Sequence, residues 1–517
     1  MDNHEWWEKL DARQKEILAF LAMVPHPLPL DALIAASGWK AVDILQILEE
    51  IAELDLLLSN ASSKRGFYAL YDGGIARFIL EQMPRKALEA GARKLIDYYE
   101  GEGAEGEGRC LTLAHLHRAA VVAPARLDYF LAAAVYCQKK NMHAEALSYY
   151  RAILEKEAGL MESLEDKKLY IEAAVGVTAA YGHMLFLPEQ RAFLEKARLI
   201  AEEIHDRGQL LTVQLALGKT LEKEGFYDKA ARHLEQAWEN AQALGDEKLL
   251  KRAALMTSDF LFRQGLVAEA VRRYEEVIGD LEDFSLDEAT LRGCTTLGWC
   301  YGVCGQTSRG LGLIETVRIK AKEHRLTDIG IFADLMMVFT LLEARRISEA
   351  QVYLDKILNL PEGVAGPSIL WATHWCVAYV AFCRGDLEEC LREHIRGCEL
   401  LKQYGRPHHR GGWVMEYLEG LEIAGLTHPE MSLTSELERL ADWPDIFMRG
   451  VAHRFRGQRA ERASQPAERV QADYERSLEL LQRSGARLEL ARTQIALARV
   501  LIEEGATERA RRLLEEA

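Results

Sequence analysis

A short residue pattern recurs every forty positions along most of this 517-residue chain, and a period of that length permits few folds. Steps of forty from Gly225 reach Gly265, Gly305, Arg345, Gly385, Gly425, Gln465 and Gly505. Five residues after each come Ala230, Ala270, Gly310, Ala350, Cys390, Glu430, Val470 and Ala510, mostly small. Nine residues after come Leu234, Tyr274, Ile314, Leu354, His394, Thr434, Tyr474 and Leu514, mostly large and apolar. Leu185 and Asn141 open two earlier units, with Ala146 and Tyr150 in the corresponding slots of the second. This is the pattern of a helix hairpin. The glycine ends the first helix in a left-handed conformation that costs it little. The small residue lets the second helix come close, and the large one fills the space beside it. One hairpin cannot bury its apolar face alone, so the units must stack.

The triplet Gly218-Lys219-Thr220 looks at first like the end of a phosphate-binding loop. Such a loop needs another glycine five residues before the first, where this chain has Val213, and it must follow a strand. Here it lies within a run of helical spacing. In the repeat, Gly218 is the small residue of a first helix, equivalent to Gly298, and Lys219 points away from the core.

Small residue, turn glycine, alanine and aromatic in this order resemble the tetratricopeptide repeat. The likeness is sharpest over 211–240 and 491–517 and weakest over 411–440, where Glu430 and Thr434 break the pattern. It implies an all-α fold: a right-handed superhelix of about ten hairpins over residues 129–517, with longer units than the usual repeat. Units of this length are similar to those in the superhelical arm of the maltose-regulon activator. The last residue, Ala517, falls inside a second helix. The expectation is therefore that the chain is a piece of a longer protein, or that its end pairs with something else.

Residues 1–85 read differently. Leu10–Met23 is amphipathic, Pro25–Pro29 is a break, and Leu30–Ala36 and Ala41–Leu54 are two further helices. The run "LLLSNASSKRGFYALYD" has the character of two short strands about a turn. Three helices and a hairpin make a small winged-helix domain. Its third helix carries Asp43, Glu49, Glu50 and Glu53 against Lys40 alone, so packing or interaction is expected of it, and direct DNA binding is not. Residues 86–128 are connecting helices, with the acidic glycine-rich "EGEGAEGEG" as a loop between them.

A winged helix, then "PRKALEAGARKLIDYYEG", then "LTLAHLHRAA", then helical repeats resembles the region after the nucleotide-binding core in bacterial STAND-type signalling ATPases. The strand after the wing often reads Arg-His-Asp in those proteins. This chain has Leu70-Tyr71-Asp72, so only Asp72 matches. The resemblance implies an ATPase core outside this chain and a repeat arm that senses an inducer or partner and controls signalling or transcription. It also leaves open the target-recognition arm of an antiviral STAND protein.

The net charge of −16 opposes general nucleic-acid binding. No apolar run is long enough to span a bilayer, and the charged N-terminus is no secretory signal. Nine cysteines scattered through apolar helical segments suit buried thiols in a reducing cytoplasm. Cys300 and Cys304 share a helical face, but buried packing explains them better than a metal does, as loop placement does for His408 and His409. No metal or cofactor is expected. No nucleophile–base pair or carboxylate pair stands out, so the chain is read as non-catalytic.

Two sets of residues are candidates for binding. By helical spacing, the first helices of the central units present Trp299, Phe339 and Tyr379, with Trp375, Leu342 and Phe382, on one concave face. Arg252 and Arg292 lie at its edge. This apolar stretch could anchor a protein, a peptide or a small-molecule inducer. Alternatively the rings are core, packed against the next unit. In the first case Trp299→Ala or Tyr379→Ala weakens binding without unfolding. In the second, stability falls. The other set is a basic run over 449–469, with Arg449, Arg454, Arg456, Arg459 and Arg462, which could meet a phosphate or an acidic partner or could be a solvated helix face. The main reading is a sensor arm. A stand-alone scaffold for protein–protein interaction is the alternative.

Overall fold

The computed structural model describes residues 5–24, 26–57, 66–101, 109–119, 126–140, 142–155, 163–180, 188–278, 288–361, 364–402, 411–426, 428 and 431–517. Most of them are helical, as the forty-residue period requires. The chain divides into two compact units, Met1–Thr220 and Leu221–Ala517. The division falls inside the helix Arg207–Lys223.

The first unit holds two apolar cores. One gathers Ile17, Leu18, Phe20, Ala32, Leu33, Ile44, Ile51, Ile79 and Leu95. The helix Ala12–Ala22 begins at a reciprocal cap. The Gln14 N–H donates to Asp11 Oδ1 at 2.8 Å, and the Asp11 N–H donates to Gln14 Oε1 at 2.9 Å. The helices Leu30–Ser37 and Ala41–Ala52 follow. Ala41–Ala52 buries Ile44, Ile47, Leu48 and Ile51 and exposes Asp43, Glu49 and Glu50, so its outer face is acidic. The extended part differs from expectation. Leu57 bridges Leu70, as a hairpin would, but the ladder is made by Leu28–Pro29 against Phe67–Tyr68. Part of the proline break thus pairs as a strand. The turn 58–65 lies outside the described residues. The second core joins Leu111, Phe130, Ala146, Tyr150, Ala174, Leu194 and Leu217 from successive hairpins. The turns at Asn141 and Leu185, and most of the acidic glycine-rich loop, lie outside the described residues. Gly218 is buried in mid-helix and Lys219 is half-buried, so the triplet forms no phosphate loop.

In the second unit the period is written into the backbone. Left-handed residues occur at Gly225, Gly265, Gly305, Arg345, Gly385, Gly425 and Gly505, and at Ser464, one residue before the expected Gln465. A second series at Gly245, Arg325 and Gly485 turns the chain between hairpins. First helices such as Glu247–Arg263, Glu288–Val303, Thr327–Glu343 and Pro367–Cys383 alternate with second helices such as Val267–Ile278, Thr307–Glu323, Ile347–Leu358 and Leu387–Lys402. Ala270, Ala350 and Cys390, the small residues of the pattern, are wholly buried. At Gly310 and Gly298 the two helices of a hairpin approach so closely that a Cβ on Gly310 would overlap the carbonyl of Gly298. The weak repeat shows its weakness here as well, because its second helix is only Leu433–Arg439. The architecture is an all-α array of tetratricopeptide-like hairpins.

Candidate functional site

Three successive first helices, Glu288–Val303, Thr327–Glu343 and Pro367–Cys383, line a cleft of about 560 Å³. Arg292, Phe332 and Ala372, exactly forty residues apart, lie along it, so it follows the repeat. Leu335, Phe339 and Trp371 are among the residues that extend the apolar wall, and Asp328 is a second charged group in the lining. The Arg292 guanidinium sits over the Phe332 ring, 5.2 Å from its centre. The Trp371 and Trp375 rings meet edge to face at 4.9 Å, which fixes Trp371 in the cleft wall while Trp375 is sealed behind it, 1% exposed. Size and lining are those of a small-molecule or peptide side-chain pocket: apolar, with few charged groups.

Of the residues expected to bind, the structure brings Arg292 and Phe339 into this cleft. Trp299, Trp375, Tyr379 and Leu342 belong to the core instead. Trp299 is 2% exposed, with its ring against Phe262 at 5.2 Å and Phe447 at 6.1 Å. Tyr379 packs on Trp413 at 5.6 Å and donates its hydroxyl proton to Glu416 at 3.0 Å. Phe382 is half-buried beside Tyr379, and Arg252 is exposed away from the cleft lining. The expected face is therefore real in register but largely covered. Phe447 and Trp413 come from later hairpins of the same unit, and they fill the space in which a ligand was expected. Phe332 and Trp371 are the residues that sequence reading missed. Phe332 occupies the arginine slot one repeat after Arg292, so the period itself could have found it.

The cover is held by polar contacts. The Ile446 N–H donates to the Gln264 carbonyl at 2.9 Å, and Ser484 Oγ donates to the Gly265 carbonyl at 2.6 Å. Arg492 donates to the Glu343 carbonyl at 2.6 Å, and its guanidinium lies between the carboxylates of Glu343 and Glu489. Arg454 pairs with Glu489 from the other side. Burial pushes the Glu343 carboxyl up to about 7 despite Arg492. Burial would raise Glu489 too, but Arg454 and Arg492 hold it below its ordinary value.

These pairings also dissolve the expected basic patch. Arg454 is buried in the network just described. Arg462 pairs with Glu419 at 2.5 Å, and Arg459 lies 3.7 Å from Glu422. Arg456 donates to the Leu437 carbonyl at 2.7 Å, and Arg449 is half-buried. Run together in sequence, the five arginines point in several directions around one helix, Ile446–Arg462, and acids of neighbouring helices pair with three of them, Arg454, Arg459 and Arg462. Among the described residues, Cys300 and Cys304 belong to no cluster of ligating groups, and His408 and His409 lie outside those residues. Among the described residues, no helix is long and apolar enough to cross a membrane.

No protein-family profile and no curated protein matches the chain. Solved structures do. A signal-transduction ATPase with numerous domains and a tetratricopeptide-repeat sensor, from Pyrococcus horikoshii, is 12% identical over 78% of this chain and 66% of its own, with a TM-score of 0.40. The apo quorum sensor NprR from B. thuringiensis is 15% identical over 72% of this chain and 97% of its own, with a TM-score of 0.44. Human IFIT1, solved as a dimer with PPP-AAAA, is 12% identical over 99% of this chain and 96% of its own, with a TM-score of 0.41. Likeness this loose transfers no ligand and no partner.

Proposed function

We propose that the chain is a non-catalytic regulatory module whose second unit recognises a peptide or small-molecule inducer in the Arg292–Phe332–Trp371 cleft. The cleft carries this reading, because it is an open, mainly apolar cleft of ligand size that three repeats build jointly. Its occupant has an apolar body to lie on Phe332, Leu335 and Trp371, and an acidic group to meet Arg292. In this reading the helices and short sheet of residues 1–85 are a winged-helix-like element that packs against other protein, since its third helix is acid-faced. The chain then serves as the cytoplasmic sensor arm of a STAND-type ATPase whose core lies outside these residues.

The test is native mass spectrometry of the purified chain for a co-purifying molecule, repeated on Arg292→Glu and Trp371→Ala. The expected result is one ligand per chain, lost in both variants while the melting temperature holds. A ligand retained by both variants, or turnover of nucleotide by the chain itself, overturns the reading.

A further inference from the structure

Away from the cleft, four side chains with nitrogen or sulfur donors converge. His394 and Cys398 lie one turn apart on the helix Leu387–Lys402, so both point the same way. His428 and Met431 come from the segment before the short helix Leu433–Arg439. Ligating atoms of His394, Cys398 and His428 all lie within 4.8 Å of one another. Cys398 Sγ is 3.6 Å from His394 Nε2 and 3.7 Å from Met431 Sδ. Bonds of about 2.0–2.3 Å to one ion set its donors roughly 3.3–4 Å apart. Both Cys398 distances already fall in that range, and the His and Cys donors close on one ion from at most 4.8 Å.

We propose that His394, Cys398, His428 and Met431 form a binding site for a single Cu(I) ion. Two imidazoles, a thiolate and a thioether are a soft donor set, and thioether sulfur favours copper over zinc. Charge favours the monovalent ion as well. His394 is fully buried and Cys398 nearly so. One thiolate neutralises Cu(I), whereas a divalent ion would leave a net positive charge away from water. The surroundings position the ligands. Tyr417 Oη lies 3.0 Å from His394 Nδ1 and can accept its proton, which leaves Nε2 to the metal. The Met431 N–H donates to His428 Nδ1 at 3.3 Å and orients that ring. Without metal, His394 Nε2–H can instead donate to the Met431 carbonyl, 3.0 Å away, so binding shifts the proton to Nδ1. His428 is half-exposed and marks the way in.

The experiment titrates the full chain with Cu(I), anaerobically and against a chromophoric Cu(I) chelator, with Zn(II) as the parallel arm. A Cys383→Ser background removes the one exposed thiol among the described cysteines. One Cu(I) per chain is expected, with Cu–S and Cu–N bonds in the X-ray absorption spectrum. Cys398→Ser and Met431→Leu both lose it to the chelator, and Tyr417→Phe binds about 10-fold more weakly. The Leu variant keeps the apolar volume if the Ser variant fails to fold. The proposal fails if the wild type holds no copper against the chelator, if the variants hold it equally well, or if Zn(II) takes the site and Cu(I) does not.

Discussion

The hydroxyl of Ser484 donates to the carbonyl of Gly265, 219 residues earlier in the chain, at 2.6 Å. An open stack of hairpins has no reason to make such a contact, since each unit touches only its neighbours. Here the turn at Gly265 is met by two later helices. Ile446–Arg462 starts on the carbonyl of Gln264, and the end of Ala467–Ser484 rests on Gly265. The unit closes on itself, and that closure decides which parts of its inner wall remain open to a ligand.

Gly265 therefore carries two constraints where Gly225 carries one. Both have positive φ, 73° and 84°, so an alanine at either is strained by about 1 kcal/mol. Nothing lies near a Cβ on Gly225, whereas one on Gly265 would run into Asp445 and the backbone of Phe447. Gly265→Ala is expected to cost about 1–3 kcal/mol more than Gly225→Ala, read from the shift of the urea midpoint. Equal shifts would mean that the closure is loose in solution.

Trp299 and Trp371 separate core from site. Trp299→Ala opens a large hole between Phe262 and Phe447 and is expected to cost about 3–5 kcal/mol, with a clear loss of melting temperature. Trp371 is half-buried at the cleft wall, so its alanine variant should lose ligand and keep most of its stability. Similar melting losses for the two would put Trp371 in the core as well.

Gly298 tests the hairpin itself. A Cβ there would meet Ile314 and the carbonyl of Gly310. Gly298→Val should force the helices Glu288–Val303 and Thr307–Glu323 apart and cost about 3 kcal/mol or more. Lys219→Ala, one position past the small residue of an earlier first helix, should stay within about 0.5 kcal/mol of the wild type. Differential scanning calorimetry on both variants checks the pair, and a mild Gly298→Val would mean that the helices have room between them.

The local grammar of the repeat could be read because it depends on neighbours in sequence. Gly225, Gly265, Gly305 and Gly385 turn the chain where the period puts them, and even Arg345 adopts the left-handed conformation that its slot demands. Ser464 does so one residue early, just before Gln465 and the fixed φ of Pro466. Spacing also found the face that holds Arg292 and Phe339. It could not reveal what covers that face. Trp299 meets Phe447 only because a distant hairpin returns, whereas Tyr379 meets Trp413 of the next hairpin, as the core alternative allowed. Nor could it show that Arg454 pairs with Glu489 and Arg462 with Glu419, since both acids lie on other helices. Periodicity fixes which residues share a helix face, and the path of the whole array decides whether that face meets water.

Glu343 makes the closure sensitive to pH. Its carboxyl is 2% exposed, and burial lifts it from an ordinary 4.5 to about 7. Between those values the folded chain keeps a proton that the unfolded chain has released. This contribution to stability is thus complete below about pH 4.5 and is lost as pH rises through 7. Glu489 works in the opposite sense. Arg454 and Arg492 hold it below its ordinary value, so its contribution is present above about pH 4.5 and is lost as acid protonates it. The urea midpoint is expected to peak near pH 5 and to decline towards neutrality. Glu343→Gln should flatten that decline, because the amide is uncharged at every pH and Arg492 keeps the backbone carbonyl of residue 343. Arg492→Ala strips a partner from two buried carboxylates and should cost about 3–5 kcal/mol at pH 7. A decline that persists unchanged in Glu343→Gln would place the titrating group elsewhere.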